Sequence, residues 1–133
     1  MGLNEPYVVD SYALIAWFRE KRASYRRYFE HIQDNRGYVS PVVLMEFYFG
    51  VYHFVDKNAA DQYYGFIEPY LIKINPHEEY LKEAAEYRSV MLRQKKKLSY
   101  ADSLNCVMAR RLNTKVLTGD LEMKDLPDVE FVQ

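Results

Sequence analysis

Short apolar runs alternate with longer amphipathic ones along the chain, and no linker, repeat or biased tract separates them. Residues 7–9 (Tyr-Val-Val) have the β-branched and aromatic density of a buried strand, which ends at Asp10. Residues 11–22 and 24–35 carry helical spacing, and Gly37 suits the C-terminal stop of the second helix. Residues 38–40 read as a strand, after which Pro41 fits the first turn of a third helix, VVLMEFYFGVYHF. Residues 57–68 are helical and 70–74 form a strand. Pro76 opens a long amphipathic helix reaching Gln94, and Ser99 opens another reaching Leu112. Residues 115–117 and 129–132 are the last strands. Strands separated by helices pair in parallel through right-handed crossovers, so the pattern predicts a three-layer α/β/α domain with a central parallel sheet of four or five strands. In such sheets the working site lies at the carboxyl ends of the strands, near the point where strand order reverses.

Length and composition narrow the class. A chain of 133 residues predicts one domain, 1–133, large enough for a core without disulfides or a structural metal. The single Cys106 agrees, since one thiol makes neither an internal bridge nor a zinc site. Hydrophobic residues at 49% and charged residues at 28% exclude a disordered chain. No apolar run approaches the roughly 20 residues of a membrane span. The start MGLNEPYVVD lacks a basic-then-apolar leader, and Pro6 stands where a myristoylation motif needs Ser or Thr, so a cytoplasmic location is expected. The net charge of −1 hides segregation: residues 19–36 hold six Lys/Arg against three acids, 82–97 six against two, and the last 36 residues four against six. That pattern describes either solvated helix faces or a basic rim around an acidic site suited to a polyanion.

Four carboxylates stand out. Asp10 ends the first strand inside YVVDSYALIAWF; it either caps the next helix or contributes to a site. Glu46 has Val42, Val43, Phe49 and Gly50 as its helical neighbours, which places it on the core-facing side, where an ionised group needs a partner or a metal. Asp102, in LSYADSLNCVMA, fits a capping box with Ser99 and lies in a first helical turn. Asp120 follows a strand in the turn Thr118-Gly119-Asp120, with Glu122 and Asp125 just beyond. If the sheet brings these acids together, like charges raise one another's pKa or recruit a counter-ion, and all-oxygen ligands point to Mg²⁺ or Mn²⁺. His31, His53 and His77 fall on separate elements without ligand spacing and read as surface or packing residues.

The segments VVDSYALIAWF, SPVVLMEF, LSYADSLNCVMA and KVLTGDLEMKDL, with VEFV after them, resemble the PIN-domain nucleases, most closely the small VapC-like toxins. The resemblance spans almost the whole chain. It implies that Asp10, Glu46, Asp102 and Asp120 correspond to that family's four acidic positions, with Glu122 as an additional acid and Ser11 and Thr118 as supporting hydroxyls. Met123 departs from the Phe often found there. The resemblance further implies Mg²⁺- or Mn²⁺-dependent hydrolysis of RNA phosphodiesters, an antitoxin protein as partner, and a homodimer. Asp10 and Asp120 would be direct ligands, with Asp102 and Glu46 completing or orienting the cluster. An RNA-processing nuclease without an antitoxin is the alternative within the family.

Two other classes fit less well. A phospho-aspartate phosphatase would want Asp two residues after Asp10, where Tyr12 stands; a receiver domain would want an acidic pair, where Ser11 follows. An inactive binding module is disfavoured because all four acids are present. The aromatics Phe47, Tyr48, Phe49, Tyr52, Phe54, Tyr63, Tyr64, Phe66 and Tyr70 crowd two adjacent helices, either as a thick aromatic core with exposed Tyr hydroxyls or as a dimer interface, and the family resemblance implies the dimer.

Overall fold

Val8 and Val9, the whole of strand β1, are fully buried, and alternation along a strand sends their side chains to opposite faces of the sheet. In the computed structural model, which describes residues 6–133, Val9 and Leu117 belong to one core cluster and Val8 and Val116 to a second. Two residues of strand thus separate two hydrophobic layers.

Among the described residues the sheet has five strands, all parallel, in the order β3-β2-β1-β4-β5. Here β2 is Gly37–Val39, β3 Leu71–Lys73, β4 Val116–Thr118 and β5 Val129–Phe131. Val8 lies opposite Tyr38 on one side and Val116 on the other, and Val9 opposite Leu117. The chain starts at the centre, builds outward through β2 and β3, then returns to build the other half. Strand order therefore reverses between β1 and β4.

Helix α1 (Ser11–Leu14), α2 (Arg26–Asn35), α3 (Pro41–Phe54) and α4 (Lys57–Ile67) bury Leu14, Phe29, Ile32, Val43, Phe47, Val51 and Ile67 against one face. Helices α5 (Glu78–Arg93) and α6 (Tyr100–Arg111) cover the other with Ala84, Met91, Leu104 and Val107. Met123 is fully buried in this second layer, so the turn it anchors is packed with Met in place of Phe.

The expected three-layer α/β/α architecture is present, with several boundaries shifted. The stretch 11–22 is no single α-helix: α1 passes into a π-helical turn, Ile15–Arg19, before Lys21 takes a left-handed φ of 53°. Gly37 does not stop α2. Arg36 takes the left-handed φ of 67°, and Gly37 opens β2, where an added Cβ would lie 2.6 Å from Val9 Cγ2. The glycine serves close strand packing there rather than turn geometry. Pro76 stays outside α5, which begins at Glu78 behind the N-cap residue His77. The third strand is shortened because Glu68–Tyr70 forms a 3₁₀ turn. His31 and His53 pack against Tyr7 and against Phe49 and Phe54, and His77 against Tyr80. Among the described residues no helix is long and apolar enough to cross a membrane. The N-terminal leader and lipidation expectations fall largely on residues 1–5, outside the described ones.

Candidate functional site

Asp10 is where β1 delivers the chain to α1, at the carboxyl end of the central strand. Its amide donates to the Leu117 carbonyl (3.1 Å), so the sheet ladder fixes its backbone. Its side chain makes no helix-capping bond. Instead Oδ2 accepts from Thr118 Oγ1 (2.7 Å) and Oδ1 from Asn105 Nδ2 (3.2 Å), and the residue is 4% exposed. Burial pushes its carboxyl up to about 7; the Thr118 hydrogen bond opposes this, while the charges of Asp102 and Glu46 reinforce it.

Asp102 caps its helix and also lines the cleft. Its Oδ2 accepts from the Ser99 amide (3.3 Å) and its own amide donates to Ser99 Oγ (3.0 Å), closing a reciprocal cap on α6. The same carboxyl is raised above its ordinary range, first by burial and then by the charges of Asp120 and Glu122. Asp120 follows β4, its Oδ1 accepting from the Glu122 amide (3.0 Å) at the head of the 3₁₀ turn Leu121–Met123. Thr118 Oγ1 also accepts from the Asp120 amide (3.1 Å), so one hydroxyl links the first and last acids. Gly119 between them admits no side chain, because a Cβ would collide with the Val132 carbonyl and the Tyr12 ring.

Glu46 departs from expectation. It does not face the core but is exposed on the wall of the cleft, where Oε1 accepts from Ser11 Oγ (3.2 Å). Val43 and Phe47 carry the core contact of α3, and Met45 and Phe49 are exposed with Glu46. Burial by the cleft walls and the charge of Asp102 still raise the Glu46 carboxyl.

Asp10, Glu46, Asp102, Asp120 and Glu122 thus share one cleft of about 510 Å³, together with Ser11, Glu20, Arg22 and Lys97. Arg22 is held by Glu20 (2.7 Å) and by the Tyr12 hydroxyl (2.7 Å), which leaves, among the described residues, five carboxylates and Lys97 on the cleft lining. Arg22 and Lys97 come one from each basic stretch of the sequence, so the basic segments do contribute to the rim. Asp125 is absent from the cleft lining and serves the turn, with a left-handed φ of 71°.

A carboxylate-only donor set suits a hard divalent cation. Among the described residues no three His, Cys, Asp or Glu side chains already stand together as a ligand group. The residues fit Mg²⁺ in its usual mode, through one or two carboxylates with the remaining positions filled by water.

Asn105 escapes the sequence reading, although it stands three residues after Asp102, on the same helix face, within an apolar run. It is fully buried, and its Oδ1 has no hydrogen-bond partner among the described residues.

The family model of the PIN domain matches residues 7–129. Three solved structures are similar in fold. VapBC2 from Rickettsia felis, bound to a DNA fragment of its promoter, superposes with a TM-score of 0.78 at 18% identity, covering 96% of this chain and 98% of that one. DNA-bound VapBC from Salmonella typhimurium gives 0.78 at 16% identity, with 96% of each chain covered. Mycobacterium tuberculosis VapC20, a toxin that cleaves the sarcin-ricin loop, gives 0.75 at 14% identity, covering 96% and 99%. No curated protein matches by sequence.

Proposed function

Because the chain belongs to the PIN domain family, we propose that it is a divalent-cation-dependent endoribonuclease, acting as the toxin of a toxin-antitoxin pair. The observation that carries this reading is the convergence, among the described residues, of five carboxylates on one cleft at the point where strand order reverses, with Lys97 on its lining. Such a cluster is electrostatically unfavourable without a cation and is well matched to one.

Asp10 and Asp120 would hold Mg²⁺ or Mn²⁺ directly, and Asp102 and Glu46 would complete the set or orient it through water. The bound cation would supply Lewis-acid polarisation of a phosphoryl group and activation of a water. The chain's own residues do the positioning. Thr118 and Asn105 each fix one Asp10 oxygen, and Thr118 also ties down the Asp120 backbone. Ser11 turns Glu46 into the cleft, while Glu122 adds negative charge beside Asp102 and Asp120. Lys97 offers the entering phosphate a cation.

The partners follow from surfaces away from the cleft. A groove of about 640 Å³ on α3 and α4 is lined by Leu44, Met45, Tyr48, Phe49, Tyr52 and Tyr64, and Met45, Phe49 and Tyr52 are more than half exposed. We assign it to a second copy of the chain, and expect an antitoxin as a separate partner, as in the toxin-antitoxin complex from Klebsiella pneumoniae, which is similar in fold.

The test is incubation of purified protein with total RNA. Cleavage is expected with Mg²⁺ or Mn²⁺, with none in chelator, and loss by orders of magnitude in Asp120→Asn. Cleavage that persists in chelator, or no cleavage with either cation, defeats the proposal.

A further inference from the structure

Tyr100 is the most exposed of the large hydrophobic residues described, at 73%, although it opens helix α6 only two positions before Asp102. Free solvent exposure of an aromatic ring is costly, and nothing in the core requires one at this position. The ring is nonetheless held in place. The Arg88 guanidinium lies over it, Cζ 4.3 Å from the ring centroid, and Arg88 is itself anchored by Nε donating to the Leu98 carbonyl (3.0 Å). One face of the ring is thereby occupied, and the high exposure leaves the other open.

The surroundings are those of a nucleic-acid contact. Lys95, Lys96 and Lys97 lead into α6, with Lys95 in a left-handed turn (φ 63°) and Lys97 on the cleft wall beside Ser99 and Asp102. Among the described residues none of the three lysines forms an ion pair, in contrast to Lys57 and Lys73, which are paired with acids. Tyr100 does not itself line the cleft and points away from Asp102 around the helix, but its chain neighbours Lys97, Ser99 and Asp102 do line it, so the ring stands just outside the rim. A braced aromatic ring beside unneutralised lysines is the combination that binds single strands: the base stacks on the ring and the phosphate meets the cation.

We infer that Tyr100, braced by Arg88 and flanked by Lys97, seats one unpaired base of an RNA strand whose neighbouring phosphate lies in the acidic cleft. This inference rests on the ribonuclease reading and adds a preference for single-stranded RNA at that position. Stacking reads the π-face and not the base edge, so the subsite tolerates any base but rejects one locked in a duplex.

The experiment uses the full chain carrying Asp10→Asn, which removes turnover, with Mg²⁺ present. Fluorescence anisotropy would follow a labelled twelve-nucleotide oligouridylate, single-stranded or annealed to its complement. The single strand should bind in preference to the duplex. Adding Tyr100→Ala should weaken single-strand binding about tenfold, within the range for one lost base stack, and erase most of that preference. Tyr100→Trp should restore binding, since a larger ring stacks at least as well. Lys97→Ala should lower the slope of log Kd against log salt by about 0.7, one phosphate contact on a single strand. In the cleaving protein, Tyr100→Ala should raise KM and leave kcat within about twofold.

If wild type cleaves RNA but Tyr100→Ala binds as tightly as its parent, the subsite is overturned and the nuclease reading stands. The subsite falls likewise if Tyr100→Trp fails to rescue, or if duplex binds as well as single strand. If wild type cleaves no RNA with either cation, both readings fall. Because Tyr100 is exposed, loss of fold is not expected in these variants, and circular dichroism checks it.

Discussion

Replacing Asp10 by Asn should make the metal-free protein more stable at neutral pH while destroying its activity. An ordinary Asp ionises near 3.8, whereas Asp10, 4% exposed and beside Asp102 and Glu46, is pushed up to about 7. At about 1.4 kcal/mol per pH unit, the charged form is disfavoured in the folded state by about 4 kcal/mol relative to the unfolded chain. The sign is opposite to that of a salt-bridged carboxylate. Between the unfolded and folded values the native state holds the proton that the unfolded chain has released, so stability falls as pH rises through this window. From pH 5 to pH 8 the loss from this one group is about 2–3 kcal/mol, or roughly 8–10 °C in Tm for a chain of this size.

Asn at position 10 removes that dependence, and the site can absorb it. Its carbonyl can accept from Thr118, and its amide needs an acceptor where Asp10 now receives the Asn105 amide. The unpartnered Asn105 Oδ1 provides one once that side chain turns over. Thermal and urea unfolding in chelator, at pH 5 and pH 8, measures the effect. Wild type should lose stability across that interval, Asp10→Asn should lose about 2–3 kcal/mol less, and the variant should be the more stable protein at pH 8. Millimolar Mg²⁺ should raise the wild-type Tm at pH 8 and move the variant little. The reasoning is refuted if both proteins respond identically to pH, or if the variant is the less stable at pH 8 in chelator.

Two further changes test the supports of the site and the assembly. Thr118→Val deletes the hydrogen bonds to Asp10 Oδ2 and from the Asp120 amide; it should cost about 1.5–3 kcal/mol of stability and move the acidic limb of the activity profile to higher pH, because a bond favouring the ionised form is gone. An unchanged pH profile would detach Thr118 from Asp10. Tyr52→Glu places a charge in the α3 groove and should convert a dimer of about twice 15.9 kDa into a monomer by light scattering, with cleavage per chain retained; a wild-type monomer at micromolar concentration would remove the dimer.

What is legible in the sequence is local, and what escapes it depends on packing between distant segments. Asp10, Asp102 and Asp120 can be placed because a strand end, a capping box and a turn each announce themselves within a few residues. For Asp102 the choice between cap and site is not exclusive: one carboxylate oxygen closes the helix while the carboxyl group lines the cleft. Glu46 misleads for an instructive reason. Its apolar neighbours suggest the core, yet α3 is apolar on two sides, with Val43, Leu44, Phe47 and Val51 buried and Met45, Phe49 and Tyr52 exposed. A helix apolar all round normally signals burial on both sides. Among the described residues only one of those sides is covered, and Glu46 stands on the strip between the buried face and the uncovered one. Gly37 and Asn105 fail in the same way. Each has a neighbour, Val9 or Asp10, that is brought close only by the strand order. The short-range rules for glycine stops and polar core residues therefore give no hint of either contact.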